Sequence, residues 1–342
     1  MVFLDWASTC PIVKFSSKQH KDFHCNPNAA YAYTERKVLM DCEERIKVAI
    51  GVKSGHVLYF RCATEAIEWL VGDIGGRAHS PYEHDACTLG VGIAPEKVVA
   101  ADFYIHQWVN HITGEIFNLK TIRSQLPETC KLVVDATAGF GKAKLPSGLD
   151  NIADALFMSG HKIGCPELSF MWLSDNLCEW LGAAKDIRNQ WGLHHGSLSV
   201  ASVLALTDAV EWACENGDRV DRHNLRLYVQ MDGMLDKARI EHYDVIEDVI
   251  EHQAYTTSIN AIRLNGINAD ALQQFLASRG IYVGVGGSAC SAAHDYRVLR
   301  AYGLTDDEAS EVIRVSFGDE TTSSDIDALV EGIKEYKERF IV

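Results

Sequence analysis

Short apolar runs that end in a polar residue recur along this chain and alternate with segments of helical periodicity, which constrains the fold more than any other feature. KVVAADFYI (97–105), KLVVDAT (131–137), ADALFMSG (153–160) and SFMWLS (169–174) read as strands, and VLYFR (57–61) as a shorter strand rich in β-formers. TERKVLMDCEERIKVAI (34–50) and ATEAIEWLVG (63–72) repeat apolar residues at helical spacing. Near-continuous apolar strands separated by helices predict an α/β fold with a mostly parallel sheet covered on both faces. From Ser199 to about Lys237 the pattern is one long helix, after which short strands and helices take over. That change sets a domain boundary near 235, with a large domain over 16–235 and a smaller α+β domain over 236–342. The final SSDIDALVEGIKEYKERF reads as an amphipathic helix with Ser324 as its N-cap.

Ligands of α/β sheets bind at the carboxyl ends of strands, so the residues just past these strands are the candidates for chemistry. Lys162, in SGHKIGCP, follows the apolar ALFMSG. A lysine partly desolvated there has a lowered pKa, and its neutral amine can form a Schiff base with an aldehyde; position alone also fits a solvated surface lysine. Asp135 ends KLVVD. An enzyme using pyridoxal 5′-phosphate (PLP) needs a carboxylate in such a place to keep the pyridine nitrogen protonated, whereas the plain reading is a turn or N-cap aspartate. Ala63 and Thr64 stand at a strand-to-helix turn, where unpaired N–H groups and the helix dipole favour a phosphate. His84, in SPYEHDAC, could stack on a cofactor ring or simply pack. Arg314 lies within the apolar EVIRVSFG and calls for an anionic partner such as a substrate carboxylate.

Composition narrows the remaining classes. A formal charge of -15 argues against non-specific binding to nucleic acid or anionic membrane. There is no run approaching the roughly 18 apolar residues of a membrane helix, and MVFLDWASTC has no basic leader pattern, so the expected location is cytoplasmic. Ten cysteines without one C-x-x-C suggest neither a zinc ribbon nor a thioredoxin-type site and are expected to be mostly buried reduced thiols. Cys290 stands apart, in the small-residue segment GVGGSACSAA. GVGIAP (90–95) lacks the third glycine of a dinucleotide fingerprint. His20 and His24 have helical metal-ligand spacing but no third ligand nearby, so no metal is expected.

Over almost its whole length the chain resembles the cysteine desulfurases, class V enzymes of the fold-type I PLP group. FLDWASTCP (3–11) is similar to the family's L-D-x-x-A-T-T-P, ATEA (63–66) to its G-A-T-E phosphate turn, and YEH (82–84) to T-E-H. VNHITGEI resembles N-N-E-x-G, VDATAGFGK resembles V-D-A-x-Q-x-x-G-K, and SGHKIGCP resembles S-x-H-K-x-x-G-P. HHGSLSV (194–200) is similar to R-S-G-T-x-x-V, VGVGGSACSAA to S-S-G-S-A-C, and IRVSFGDETTSSDID to I-R-F-S-L-G-R-x-T-T-x-x-E-I-D.

The resemblance implies a large domain built on a mostly parallel seven-stranded sheet between helices, with residues 1–15 joining the smaller domain. It implies that Lys162 carries PLP, that Asp135 holds the ring nitrogen, and that Ala63, Thr64, Ser159 and His161 hold the phosphate. His84 would stack on the ring and serve as an acid or base. Asn110 and His111 would lie at the ring. Ser197 would reach the phosphate in a neighbouring subunit, making the protein a homodimer. Arg314 would grip the carboxylate of L-cysteine, and Cys290 as thiolate would take its sulfur, leaving alanine and a persulfide for a sulfur-acceptor protein.

The chain also departs from the pattern. The family's glutamine is Ala138, its asparagine is His111, and the lysine and glycine after the K-x-x-G-P stretch are Glu167 and Leu168. Losing the glutamine removes a hydrogen bond to the ring's phenolic oxygen; His111 could replace that donor or change the ring electronics. His194 and Asp319 replace arginines, and only seven residues separate Cys290 from VLRAYGL, which predicts a short loop. Two other functions follow from these changes: a PLP-dependent lyase, decarboxylase or transaminase acting on another amino acid, and a noncatalytic scaffold.

Overall fold

The computed structural model describes residues 1–23, 25–72, 76–88, 90–245, 254–286 and 295–341. Cys290 and residues 291–294 of its expected loop lie outside the described residues; the loop's last expected residue, Arg297, opens a short helix, Arg297–Ala301.

Val2–Leu4 (β1) opens the chain, and the next seven strands build one sheet: His56–Phe60 (β2), Arg77–His79 (β3), Val91–Gly92 (β4), Phe103–Gln107 (β5), Lys131–Asp135 (β6), Ala155–Ser159 (β7) and Ser169–Leu173 (β8). Their order is β2-β8-β7-β6-β5-β3-β4. Strands β7, β6, β5, β3 and β4 run parallel, and β8 is antiparallel to both β7 and β2. The two faces explain the apolar runs. Val57 and Tyr59 face a core shared with Tyr33–Ile50 (α1), whereas Leu58 and Phe60 face Ala63–Val71 (α2) on the other side. Helices Leu119–Gln125 (α3) and Asp175–Leu181 (α4) complete the layers, with Leu119 and Ile122 on the first face and Leu177 on the second.

Val200–Lys237 (α5) is a single helix of 38 residues. Its Val203, Leu206 and Val210 pack in the first core, and its Leu227, Met231 and Leu235 in the core of a second sheet. That sheet combines β1 with His242–Asp244 (β9), Ile259–Leu264 (β10), Ile281–Val285 (β11) and Val312–Ser316 (β12), in the order β1-β11-β12-β10-β9. Ala269–Ala277 (α6) and Ser323–Phe340 (α9) cover it, and the short Arg297–Ala301 (α7) and Asp306–Ala309 (α8) lie between β11 and β12 in sequence. Among the described residues no helix is long and apolar enough to cross a membrane.

Two expectations need correction. The strand read over 97–105 is β5 at Phe103–Gln107; Val99 is 89% exposed in the preceding loop, so apolar character there reflected no pairing. The last helix is capped by Thr322, which forms a capping box with Asp325. Ser324 has an aspartate at the same spacing, but Asp327 is bonded by the side chain of Gln230. His20 follows a single 3-10 turn at Ser17–Gln19 and lies 3.1 Å from the Asp208 carboxylate.

Candidate active site

The carboxyl ends of β7, β6 and β5, with the loop after β3, converge on a cavity of about 260 Å³. Its wall contains Ala63, Thr64, His84, His111, Asp135, Ser159, His161 and Lys162, all read from the sequence.

Lys162 sits in a 3-10 turn, Gly160–Ile163, that begins where β7 ends. Two glycines make the turn possible. A Cβ on Gly160 would lie 2.1 Å from the Leu168 carbonyl oxygen, and Gly164 closes the turn at φ +81°, where L side chains are strained. Lys162 is 9% exposed, and its Nζ donates to the backbone oxygen of Ala7, which ties the cavity floor to the N-terminal segment.

Asp135 ends β6, and its Oδ1 accepts the backbone N–H of Thr137 at 2.8 Å. The Cys87 thiol approaches Oδ2 at 3.5 Å. Behind it lies Glu83, fully buried, whose carboxyl is pushed well above the usual range by burial and then by Asp135. Burial likewise pushes the Cys87 thiol up. The ligand atoms of Glu83, Cys87 and Asp135 lie within 4.8 Å of one another, a spacing that could hold a metal ion. Burial thus disfavours the charged forms of Glu83 and Cys87, and of the three residues Asp135 and Cys87 line the cavity.

The amides of Ala63 and Thr64 open α2 and have no acceptor within the helix, and they and the helix dipole favour negative charge at this end of the cavity. Nearby, His161 Nδ1 is bonded to Thr9 Oγ1 at 3.1 Å, and burial, followed by repulsion from Lys162, lowers its pKa to about 4. The His161 imidazole in the cavity wall is therefore neutral near pH 7.

His84 Nδ1 accepts the backbone N–H of Ala86 at 3.1 Å, which leaves the hydrogen of a neutral ring on Nε2. Burial holds its pKa below the ordinary value. The His84 and His111 rings meet edge to face, 5.1 Å between centroids.

Three predicted residues do not line the cavity. Asn110 is buried and makes a turn, its Oδ1 accepting the backbone N–H groups of Ile112 and Thr113. Ser197 is exposed. Arg314 is wholly buried, its Nη2 donating to Asp5 Oδ1 and Ser8 Oγ at 2.6 Å each and its Nη1 to the His111 carbonyl at 2.9 Å. Its Nε has no partner among the described residues.

The wall also contains residues that sequence reasoning passed over. Thr137 Oγ1 is a buried hydroxyl without a partner among the described residues, and Cys87 and Phe157 complete the wall beside Asp135. Thr137 stands two residues after Asp135; Phe157 carries no signal distinguishing it from a core residue. Ala138 lines the cavity without a polar group. The substituted Glu167 lies outside it, accepting from Ser17 and Ser202, and Asp319 is paired with Lys14 at 2.5 Å.

Residues 97–329 match the family model for aminotransferase class-V. The chain belongs to that family. Among curated relatives, a cysteine desulfurase IscS of Mannheimia succiniciproducens is 29% identical over 71% of this chain and 58% of its own. Another, from Pasteurella multocida, is 24% identical over 97% of this chain and 92% of its own. A solved NifS-like protein superposes with a TM-score of 0.81 at 19% identity, covering 98% of this chain and 99% of its own. The fold is therefore that of the fold-type I PLP enzymes, with a large sheet domain and a smaller one.

Proposed function

We propose that the protein is a PLP-dependent enzyme that takes sulfur from L-cysteine, releasing alanine and leaving a persulfide on Cys290. The observation that carries this reading is the convergence of Lys162, Asp135 and the α2 N-terminus on one cavity. The chemistry of the wall fits PLP: an amine for its aldehyde, a carboxylate for its ring nitrogen, unpaired amides for its phosphate, and an unpartnered hydroxyl on Thr137.

When bound, PLP supplies an electron sink for the carbanion formed at the substrate Cα. The chain's own residues do the rest. Lys162 would hold the cofactor by its aldehyde and would move the substrate Cα proton. Asp135 would accept the ring N–H. Ala63, Thr64, Ser159 and His161 would hold the phosphate. His84 would stack against the ring and offer its Nε2–H to the substrate. Arg314 receives the substrate carboxylate through its unpartnered Nε, exchanging with Asp5. Cys290 attacks the substrate sulfur: cysteine plus the Cys290 thiol gives alanine plus the Cys290 persulfide, so atoms and electrons balance without an added oxidant. The exposed Ser197 contacts the phosphate of a second copy in a homodimer with two-fold symmetry. A sulfur-acceptor protein then discharges the persulfide.

The apolar Ala138 and the buried His111 at the wall favour a second reading, in which the same scaffold runs as a lyase, decarboxylase or transaminase on another amino acid. Incubating the PLP-loaded protein with L-cysteine decides between them. The proposal expects alanine and sulfane sulfur in equal amounts; pyruvate, carbon dioxide or amino transfer without sulfane sulfur would overturn it.

A further inference from the structure

Gln107 ends β5 in register with Asp135 on β6, and its carboxamide is held from two sides. Its Nε2 donates to the Tyr82 carbonyl, and its Oε1 accepts the backbone N–H of His111 at 3.2 Å. Turning the amide over would set NH₂ against N–H and oxygen against oxygen, so its orientation is fixed. The same Oε1 lies 3.1 Å from His111 Nδ1. Since an amide oxygen only accepts, Nδ1 must carry a hydrogen. Burial, together with the nearby His84, Arg314 and Lys162, holds the imidazole pKa well below its ordinary value, so the ring carries one hydrogen and Nε2 has a bare lone pair. His111 lines the cavity, and the hydrogen bond described for its ring is the one at Nδ1.

We propose that His111, locked by Gln107, is a hydrogen-bond acceptor in the cofactor site and requires the ligand group facing it to keep its proton. The inference rests on the PLP reading for the identity of that group. In the sheet, the phosphate turn follows β2, Lys162 follows β7, Asp135 ends β6 and His111 follows β5, in the spatial order β2-β8-β7-β6-β5. On the pyridoxal ring the nitrogen lies across from the aldehyde, and the hydroxyl and phosphate arms flank the aldehyde on opposite sides. With the phosphate toward β2, the aldehyde at Lys162 and the nitrogen at Asp135, the hydroxyl falls on the β5 side, where His111 stands. Bound PLP is therefore held as the neutral hydroxyl rather than the phenolate. His84 presents the opposite polarity, a bare Nδ1 toward Ala86 and an N–H at Nε2, so the two histidines are not interchangeable.

Long-range proton–nitrogen NMR on protein labelled at histidine, with His111 assigned by His111→Asn, tests the tautomer directly without added cofactor. The expected result is a neutral ring with its hydrogen on Nδ1; a hydrogen on Nε2, or a charged ring at neutral pH, overturns the inference. The absorbance of the PLP-loaded protein is a second readout. The parent is expected to show mainly the near-ultraviolet band of the protonated hydroxyl, and both His111→Asn, which offers a donor, and Gln107→Leu, which frees the ring to turn its hydrogen inward, are expected to shift the dominant band into the visible. A visible band already dominant in the parent, or no shift in either variant, overturns it. Failure to bind PLP at all would sink the functional reading but leave the tautomer test standing.

Discussion

Replacing Asp5 by alanine leaves the Arg314 guanidinium buried without its carboxylate. Breaking a buried ion pair from one side typically costs about 3–5 kcal/mol, because the remaining charge keeps its desolvation penalty. Here Arg314 is wholly buried but Asp5 is 19% exposed, and Arg314 retains bonds to Ser8 Oγ and the His111 carbonyl. These retained bonds place the expected loss near the lower end, about 3 kcal/mol. Asp5→Asn keeps an acceptor and removes only the charge, so its loss should be smaller. Urea denaturation of parent and variants gives the difference from the midpoints at constant slope. The vacated space also makes the variant selective for a small carboxylate. Acetate at about 100 times its dissociation constant should restore about 2.7 kcal/mol in Asp5→Ala and have little effect on the parent. The same exchange is what the proposed function asks of Arg314 when a substrate carboxylate arrives. An Asp5→Ala protein within about 0.5 kcal/mol of the parent, or equal stabilisation of both by acetate, would refute this reasoning.

Lys162→Ala is expected to abolish borohydride-trapped attachment of PLP and all turnover, and covalent labelling that persists would remove Lys162 from its role. Asp135→Asn should retain bound PLP by absorbance yet lose most turnover, since the loss falls on the ring nitrogen rather than the phosphate; unimpaired turnover would contradict it. His106 is fully buried, with its pKa lowered by burial from 6.5 to about 4. The unfolded chain therefore takes up its proton first as pH falls, and the stability from this neutral imidazole is present above pH 6.5 and lost toward pH 4. The stability advantage of the parent over His106→Gln should accordingly shrink by about 2 kcal/mol between pH 6.5 and 4.5, and an unchanged difference in denaturation midpoints would count against the burial argument.

Much of the site was legible because the same physical signal repeats: a polar residue closing an apolar strand. Lys162 and Asp135 were found that way, and β6 through β8 emerged almost at their observed limits because strands buried on both faces leave uninterrupted apolar runs. Gln107 carried the same signal at the end of FYIHQ, but its consequence depends on contacts with Tyr82 and His111, which exist only once the chain is folded. Arg314 was read as needing an anion, and its present partner, Asp5, is 309 residues away, beyond any local pattern. Local signals failed where two sites offered the same chemistry. Thr322 and Ser324 each precede an aspartate by three residues, and the tertiary bond from Gln230 to Asp327 accompanies the choice of the first. Likewise Val99 and Ala100 have strand character, yet pairing with β6 begins only at Phe103.

If sulfur passes from L-cysteine to Cys290 within a PLP site built around Lys162 and Asp135, the intact and peptide mass of the PLP-loaded protein after brief exposure to L-cysteine without reductant will show it. One added sulfur atom is expected, located on the peptide containing Cys290 and absent from Cys290→Ala, which should still bind PLP. An unmodified Cys290 peptide, or a Cys290→Ala protein that converts L-cysteine at the parent rate, would contradict it.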